Sequence, residues 1–425
     1  MTPTILILLA GLGILLAGVG LLGTLLGVRA TTAGFGNLEI GLIMAGYYAG
    51  YVGGTLLTPR LIRNVGHIRC FAAFASTAAA ASLGFGLLVD PLVWLILRTL
   101  VGACVVGIYM VVESWLNEQS VGHQRGRIFS IYMMSTLVAL GASQFLLLAG
   151  DTSQLTLFAL TAILVSLGVI PIAVTRVTEP RIDLVMPVKL TELFAISPLG
   201  VTGALGAGIL NGAFWGLGPV FGQNLGLADP GIALLMSVTI AGGALLQWPI
   251  GHLSDRIDRR TVLIGVGLAT AFTAAAIALL VARTYPGLFV GAFLYGGLMF
   301  TLYSISVAHT NDHLSPGQVL EATRGLLLVY GVGALCGPLV GGLAMEAVGP
   351  VGLPGMSAFI AAMLALFGIY RVTRRPPPAL DEQAEFVSMV RTTPVALEMY
   401  PEAERAPGSD MADPDSHQAR GQGTE

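Results

Sequence analysis

The sequence predicts an all-α membrane protein of twelve transmembrane helices, arranged as two six-helix, pseudo-symmetric halves. Three observations carry this. Of 425 residues, 55% are hydrophobic and 11% charged, with a mean hydropathy of +0.80; soluble domains carry about 25% charged residues, and this much apolar side chain needs lipid as its solvent. The apolar stretches recur at the length of a bilayer crossing, about 20 residues. The first half of the chain is echoed in the second.

The stretches follow in order. Residues 4–28 open as TILILLAGLG, with no basic leader and no A-x-A site, and the run is too long for a signal core, so it is expected to be the first span and not a cleaved signal. The second, 38–58, ends at Pro59 and a basic loop. The third, 70–89, stops at Asp90, and 92–116 stops at the polar NEQ. The fifth, 128–150, begins beyond Arg125 and Arg127, and 155–175 ends at Arg176. The second set is 198–222, 232–252, 261–282, 288–310, 323–344 and 354–371, the last stopping at Arg371 and the RRPPP run. These runs are too long and too uniform for barrel strands, which alternate over about ten residues. The chain thus divides into a half at 1–175, a linker at 176–197, a second half at 198–371 and a polar, mostly acidic tail at 372–425, expected to be largely disordered. One tail patch, FVSMVRTTPVALEMYPEA, is apolar enough to dock onto something.

The basic residues are divided unequally between the loops. Arg60, Arg63, Arg69, Arg125, Arg127, Arg176, Arg181, Lys189, Arg256, Arg259, Arg260 and Arg324, with Arg371, Arg374 and Arg375, fall on one side; Arg29 and Arg283 fall on the other. Such a bias places both termini and the linker in the cytoplasm, so a multi-pass protein of the cytoplasmic (inner) membrane is expected. The net charge of −3 argues against nucleic acid as a partner. Cys70, Cys104 and Cys336 lie in apolar runs at no metal-site spacing and read as small buried residues; no metal or cofactor is expected.

The repeat is visible when GLIMAGYYAGYVGGTLLTPRLIRNVGH (41–67) is set over ALLMSVTIAGGALLQWPIGHLSDRIDR (233–259). Gly50 meets Gly242, and further on Gly102 meets Gly296, Tyr109 meets Tyr303 and Arg125 meets Arg324. Parallel repeats of this kind put a solute site at their interface near mid-membrane, reached by rocking of the halves.

The segment GHLSDRIDRR, Gly251 to Arg260, resembles the loop motif G-x-L-x-D-R-x-G-R-R of the major facilitator superfamily, and Arg98-x-x-x-Gly102 is similar to its fourth-helix motif. PRLIRNVGHIR (59–69), ESWLNEQSVGHQRGR and TTPVALEMYPEA are similar to the YcaD-like branch of that superfamily. The resemblance implies the major facilitator fold, membrane transport, and a cavity lined by the first, fourth, seventh and tenth spans. Gly333-x-x-x-Gly337-Pro338-x-x-Gly341-Gly342 is similar to the antiporter motif of proton-coupled drug exporters, displaced from the fifth span to the eleventh. It reads here as a packing and bending surface.

Ionisable groups inside a bilayer are site candidates by default. Arg98 lies about 9 Å into the fourth span at 1.5 Å per residue. Helical periodicity puts it within roughly 80° of Tyr109 and Glu113, so this face is expected toward the cavity. Asn211 and Trp215 of the seventh span, Tyr295 and Ser306 of the tenth, Tyr47 of the second and Gln247 of the eighth complete the expected solute set. Aromatics, a few hydrogen-bonding groups and one cation suit a modest amphipathic or weakly acidic molecule. His309 is the one histidine near a span interior.

Glu113, near the end of the fourth span, would be the anion of a cytoplasmic latch. The resemblance implies that an acidic residue here pairs with arginines of the loop between the second and third spans. The candidates are Arg60, Arg63 and Arg69, with Arg127 across its own loop. In the second half, Asp312 with Arg256 and Arg259, and Asp255 with Arg324, would act likewise. The sequence has no G-x-x-x-x-G-K-[ST] loop, so no ATP drive is encoded, and no catalytic set resembles an enzyme's. The expectation is a monomeric secondary transporter of a small organic solute, with protons as the coupling ion by analogy. An uncoupled facilitator and a non-transporting membrane sensor or scaffold are the alternatives.

Overall fold

The computed structural model describes residues 2–120, 125–175, 189–279, 285–315, 318–374, 386–387, 389 and 393–399. Most of the predicted linker (176–188), Arg176, Arg181, Arg283, Arg375 and much of the tail lie outside the described residues.

The described chain is helical, and no strand occurs in it. In order come α1 (Pro3–Thr32), α2 (Asn37–Val65), α3 (His67–Leu87), α4 (Pro91–Glu118), α5 (Arg125–Ser143) with a 3-10 continuation (Gln144–Ala149), and α6 (Leu155–Val174). The short α7 (Leu190–Ile196) follows, then α8 (Pro198–Asn224), α9 (Asp229–Ser254), α10 (Arg259–Leu279), α11 (Tyr285–Asn311), α12 (Val319–Val348) and α13 (Gly352–Val372). All except α7 are long and apolar enough to cross a membrane, giving 12 candidate spans, the number expected. A membrane face that carries the start of α1 and the end of α13 is called here the terminal face, and the opposite one the distal face.

Helix starts follow from local chemistry. Thr2, Asp90 and Ser197 each cap the backbone N–H groups of the turn that follows, with proline at the first helical position, where its missing donor is harmless. Gly66, at φ 94°, breaks α2 from α3 in a conformation that side-chain-bearing residues avoid. One boundary differs from expectation: α2 does not stop before Pro59 but runs through it to Val65. Neighbouring helices and hydroxyl side chains can satisfy the freed backbone groups in a membrane helix.

The repeated glycines are where backbones touch. A Cβ on Gly50 would strike the Thr99 carbonyl and one on Gly102 the Tyr47 carbonyl, so α2 and α4 cross in contact. In the second half, Gly242 meets the Phe293 carbonyl and Gly296 the Thr239 carbonyl, joining α9 to α11 in the same way. The eleventh-span motif is also packing: Gly333 and Gly337 take the carbonyls of Leu205 and Ile209 in α8, and Gly342 takes that of Asn37 in α2. Small residues let membrane helices approach this closely.

The two halves meet at the distal face. The Asn37 N–H donates to Glu346 at 3.1 Å, Asn224 Nδ2 to Asn37 Oδ1 at 3.1 Å and Gln223 Nε2 to Thr32 at 3.0 Å. Deeper, Ser237 of α9 donates to the Gly141 carbonyl of α5 at 2.9 Å. There α5 tightens into its 3-10 turn, and Gln144 accepts a hydrogen bond from Thr24 of α1.

Candidate functional site

Between α2 and α12, on the terminal side of the distal contacts, lies a cleft of ≈ 640 Å³ lined by Tyr47, Tyr48, Tyr51, Arg324 and Tyr330 among others. Arg98 is buried behind it, at 6% exposure, with its guanidinium 4.8 Å from the centre of the Tyr47 ring. A desolvated cation over a tyrosine face is attracted by the ring quadrupole. Gly23 of α1 is the facing position, its would-be Cβ 3.9 Å from Arg98 Nη2, so Arg98 lies where α1, α2 and α4 converge. Tyr109 is buried one face along α4.

The tenth-span expectation needs correction. Tyr295 and Ser306 do not share the cleft. Tyr295 donates to Ser357 of α13 at 3.1 Å and lines a separate apolar cavity of ≈ 490 Å³ inside the second half. Ser306 is pressed against Gly203 of α8 and donates to its own Leu302 carbonyl at 2.7 Å. On α11, Tyr303 packs 4.7 Å from Tyr330 of the cleft wall, and Ser304 bonds Met389 of the tail. A stripe at helical spacing was right in period, but the side that packs on the cleft wall is about one residue round. Asn211 is buried in α8 and donates to the Ala207 carbonyl at 2.9 Å. Trp215 packs edge-on against Phe214 and Phe300. Gln247 is buried in α9, one turn before Gly251.

Glu113 has no exposure at all, and its partners are not arginines. Tyr132 of α5 donates to Oε1 at 2.6 Å, and the hydroxyl of Thr393, in the tail, donates to Oε2. Arg60, Arg63, Arg69 and Arg127 are exposed. The latch pairing read from the sequence is therefore absent in this conformation: five residues short of the end of α4, Glu113 points across the bundle instead of down to the loop. Long cations on the surface keep their heads in water more cheaply than they bury them beside a carboxylate.

Of the second-half pairs, Asp312 with Arg259 is present, whereas Arg256 and Arg324 do not take the expected carboxylates. Arg259, at 1% side-chain exposure, donates to Asp312 at 2.6 Å, to Asp255 at 3.0 Å and to the Ala308 carbonyl at 3.0 Å. Arg256 is exposed, and Asp255 bonds Arg259 and the Phe386 backbone N–H. Arg324, placed in a loop by its charge, is buried in α12 and lines the cleft. Asp258, outside the spans, is held below its ordinary carboxylate value: burial pushes it up, but the hydrogen bonds and charge of Arg260 outweigh burial. His309 is buried beside His313. Tyr132, Ser304, Tyr330 and Thr393 were missed as site residues. For Thr393 the docking-like tail patch was the available signal; for Tyr132 there was none, because its partner lies on another helix.

Residues 196–400 match the family model of the Major Facilitator Superfamily. The chain is 30% identical over 310 residues to an uncharacterized MFS-type transporter, YcaD, of Escherichia coli O17:K52:H18, covering 72% of this chain and 80% of the relative. It is 28% identical over 385 residues to the YcaD of Salmonella typhi, covering 89% and 98%. In structure it is similar to the nucleoside transporter NupG, at a TM-score of 0.73 and 15% identity over 88% of this chain and 100% of that one. A bacterial homolog of the human lysosomal transporter Spinster, in an inward-facing and occupied conformation, gives 0.70 and 15% over 90% and 99%.

Proposed function

The chain belongs to the major facilitator superfamily of membrane transporters, and from that premise we propose that it is a monomeric secondary active transporter which moves a small organic solute across the cytoplasmic membrane by alternating access, coupled to protons. The observation that carries the reading is the inter-half cleft, closed by hydrogen bonds at the distal face and walled by Tyr47, Tyr51, Tyr330 and Arg324, with Arg98 behind it. Aromatic faces with a few cations recognise flat or amphipathic molecules bearing a weak acid. The basic bias of the terminal-side loops supports cytoplasmic termini, which puts the hydrogen-bonded distal end on the opposite side.

Proton coupling is supported by Glu113, a carboxylate of α4 buried between Tyr132 of α5 and Thr393 of the tail and held by their hydroxyls. A group of this kind gives up or takes up its proton when a change of conformation rehydrates it. Glu113, not a surface latch, is thus the preferred coupling residue, with Tyr132 positioning it. The test uses proteoliposomes containing a pH dye, acidified outside in the presence of a panel of amphipathic organic acids. Solute-dependent proton entry that Glu113→Gln abolishes is expected. Solute uptake that leaves internal pH unchanged makes the protein an uncoupled facilitator. The scaffold alternative rested on the tail patch, whose described residues Phe386, Met389 and Thr393 contact this chain's own bundle.

A further inference from the structure

The expected disordered tail returns to the bundle. Its described residues enter along the second half: the Phe386 N–H donates to Asp255 at 2.9 Å, and its ring fills the space over Gly251 of α9. The Met389 N–H donates to Ser304 Oγ of α11 at 3.0 Å. On the first half, Thr393 bonds Glu113 and Val395 packs on Val106 and Met110 of α4. Val106 lies near the middle of the 28-residue α4, so the segment reaches about half-way through the bundle. A single 3-10 turn (Ala396–Met399) closes it, with Leu397 and Met399 fully buried. Pro394 forms part of the cleft wall.

We propose that the described tail residues 386–387, 389 and 393–399 form a built-in plug: they occupy the solute path from the terminal face, bridge the two halves, and must withdraw before solute can enter from that side. The occupant is identified by its contacts. Apolar side chains lie on apolar walls, and its backbone and hydroxyl groups meet Ser304, Asp255 and Glu113, one polar partner after another along the path. Solute and plug exclude each other, because both need the space beside Glu113 and Pro394. A tethered segment acts at a high effective concentration, so release needs a partner for the tail, a competing solute, or a change at Glu113.

The proposal goes beyond the transport reading and is testable without a known solute. The probe is a sulfonated, membrane-impermeant maleimide, and the protein is the full chain in detergent with Cys104→Ala, Cys336→Ala and Ser304→Cys. Cys70, buried in α3, is kept as a folding control, since it reacts only when the chain unfolds. Modification of the Ser304→Cys thiol should be slow, and Val395→Asp with Leu397→Asp should accelerate it at least tenfold while Cys70 stays silent. A rate unchanged within twofold overturns the plug. Should the double variant expose Cys70, a second measurement decides: Met110→Cys with Val395→Cys, in a chain lacking the native cysteines, should form a disulfide within minutes of mild oxidation. Absence of that crosslink also overturns the proposal.

Discussion

Replacing Arg259 by methionine should be among the most damaging single changes in the second half. Its guanidinium joins three acceptors: Asp312, Asp255 and the Ala308 carbonyl. Arg259 and Asp312 are each 1% exposed in their side chains, whereas Asp255 is 33% exposed. Methionine keeps the volume but leaves the Asp312 charge buried without its partner. Breaking a buried pair from one side costs about 3–5 kcal/mol, while removing both charges for apolar groups is often neutral. At about 2–4 °C per kcal/mol for a unit the size of one half, Arg259→Met should lower the melting temperature by roughly 6–20 °C. Asp255→Asn disturbs a partner in contact with water and should cost about 1 kcal/mol or less. Arg259→Met with Asp312→Leu should regain most of the loss. The assay is thermal unfolding of purified protein in one detergent at one scan rate, because unfolding here is read as a rate-dependent midpoint. A fall of less than about 3 °C for Arg259→Met, or no recovery in the double variant, would refute the reasoning.

Gly102→Val forces a side chain into the Tyr47 carbonyl and should destabilise by about 1–3 kcal/mol; Gly296→Val should do the same in the other half, and Gly13→Val, which meets open space, should be silent in the same melts. Thr24→Val strands the buried Gln144 amide oxygen at a cost of about 1–3 kcal/mol, and Gln144→Leu in that background should recover stability; a further loss sinks the idea. Asp258 titrates below its ordinary 3.8 in the folded chain. Its contribution is therefore complete above that ordinary value and is lost as pH falls through the lowered one. Asp258→Asn should flatten the acid limb of a melting-temperature profile, and an unchanged limb would count against the Arg260 contact. Glu113→Gln should remove solute-driven proton entry in proteoliposomes while uptake of the solute down its own gradient persists; loss of both assigns Glu113 to binding.

The spans were legible because lipid imposes one demand, about 20 apolar residues, that no local preference overrides. Pro59 misled for the same reason: proline ends helices in water, yet α2 continues through it where other groups satisfy the backbone. The repeat was legible as matched glycines, and contact between α2 and α4, and between α9 and α11, supplies its cause. The site was less legible. Periodicity groups Tyr295 with Ser306 but cannot say which neighbour that stripe meets; α13 and α8 take them, and it is Tyr303 that packs beside Tyr330 of the cleft wall. Charge marked Arg324 as a loop residue, although it is buried. The partners of Glu113 come from α5 and from a tail segment 280 residues away, a distance over which no local pattern acts.

The distal contacts named above contain backbone, amide and hydroxyl groups and a single carboxylate, Glu346. At about 0.5–1.5 kcal/mol net for each such bond, the four together hold the halves by roughly 2–6 kcal/mol. Inverting a two-state population from 1:99 to 99:1 takes about 5.5 kcal/mol. The hydrogen-bonded share of the closed end, apart from the packing of Gly41 on Pro338 and Gly342 on Asn37, is thus of the size that one bound small molecule can supply through its preference for one state. Its grip should also be nearly indifferent to ionic strength, since little of it is carried by charge.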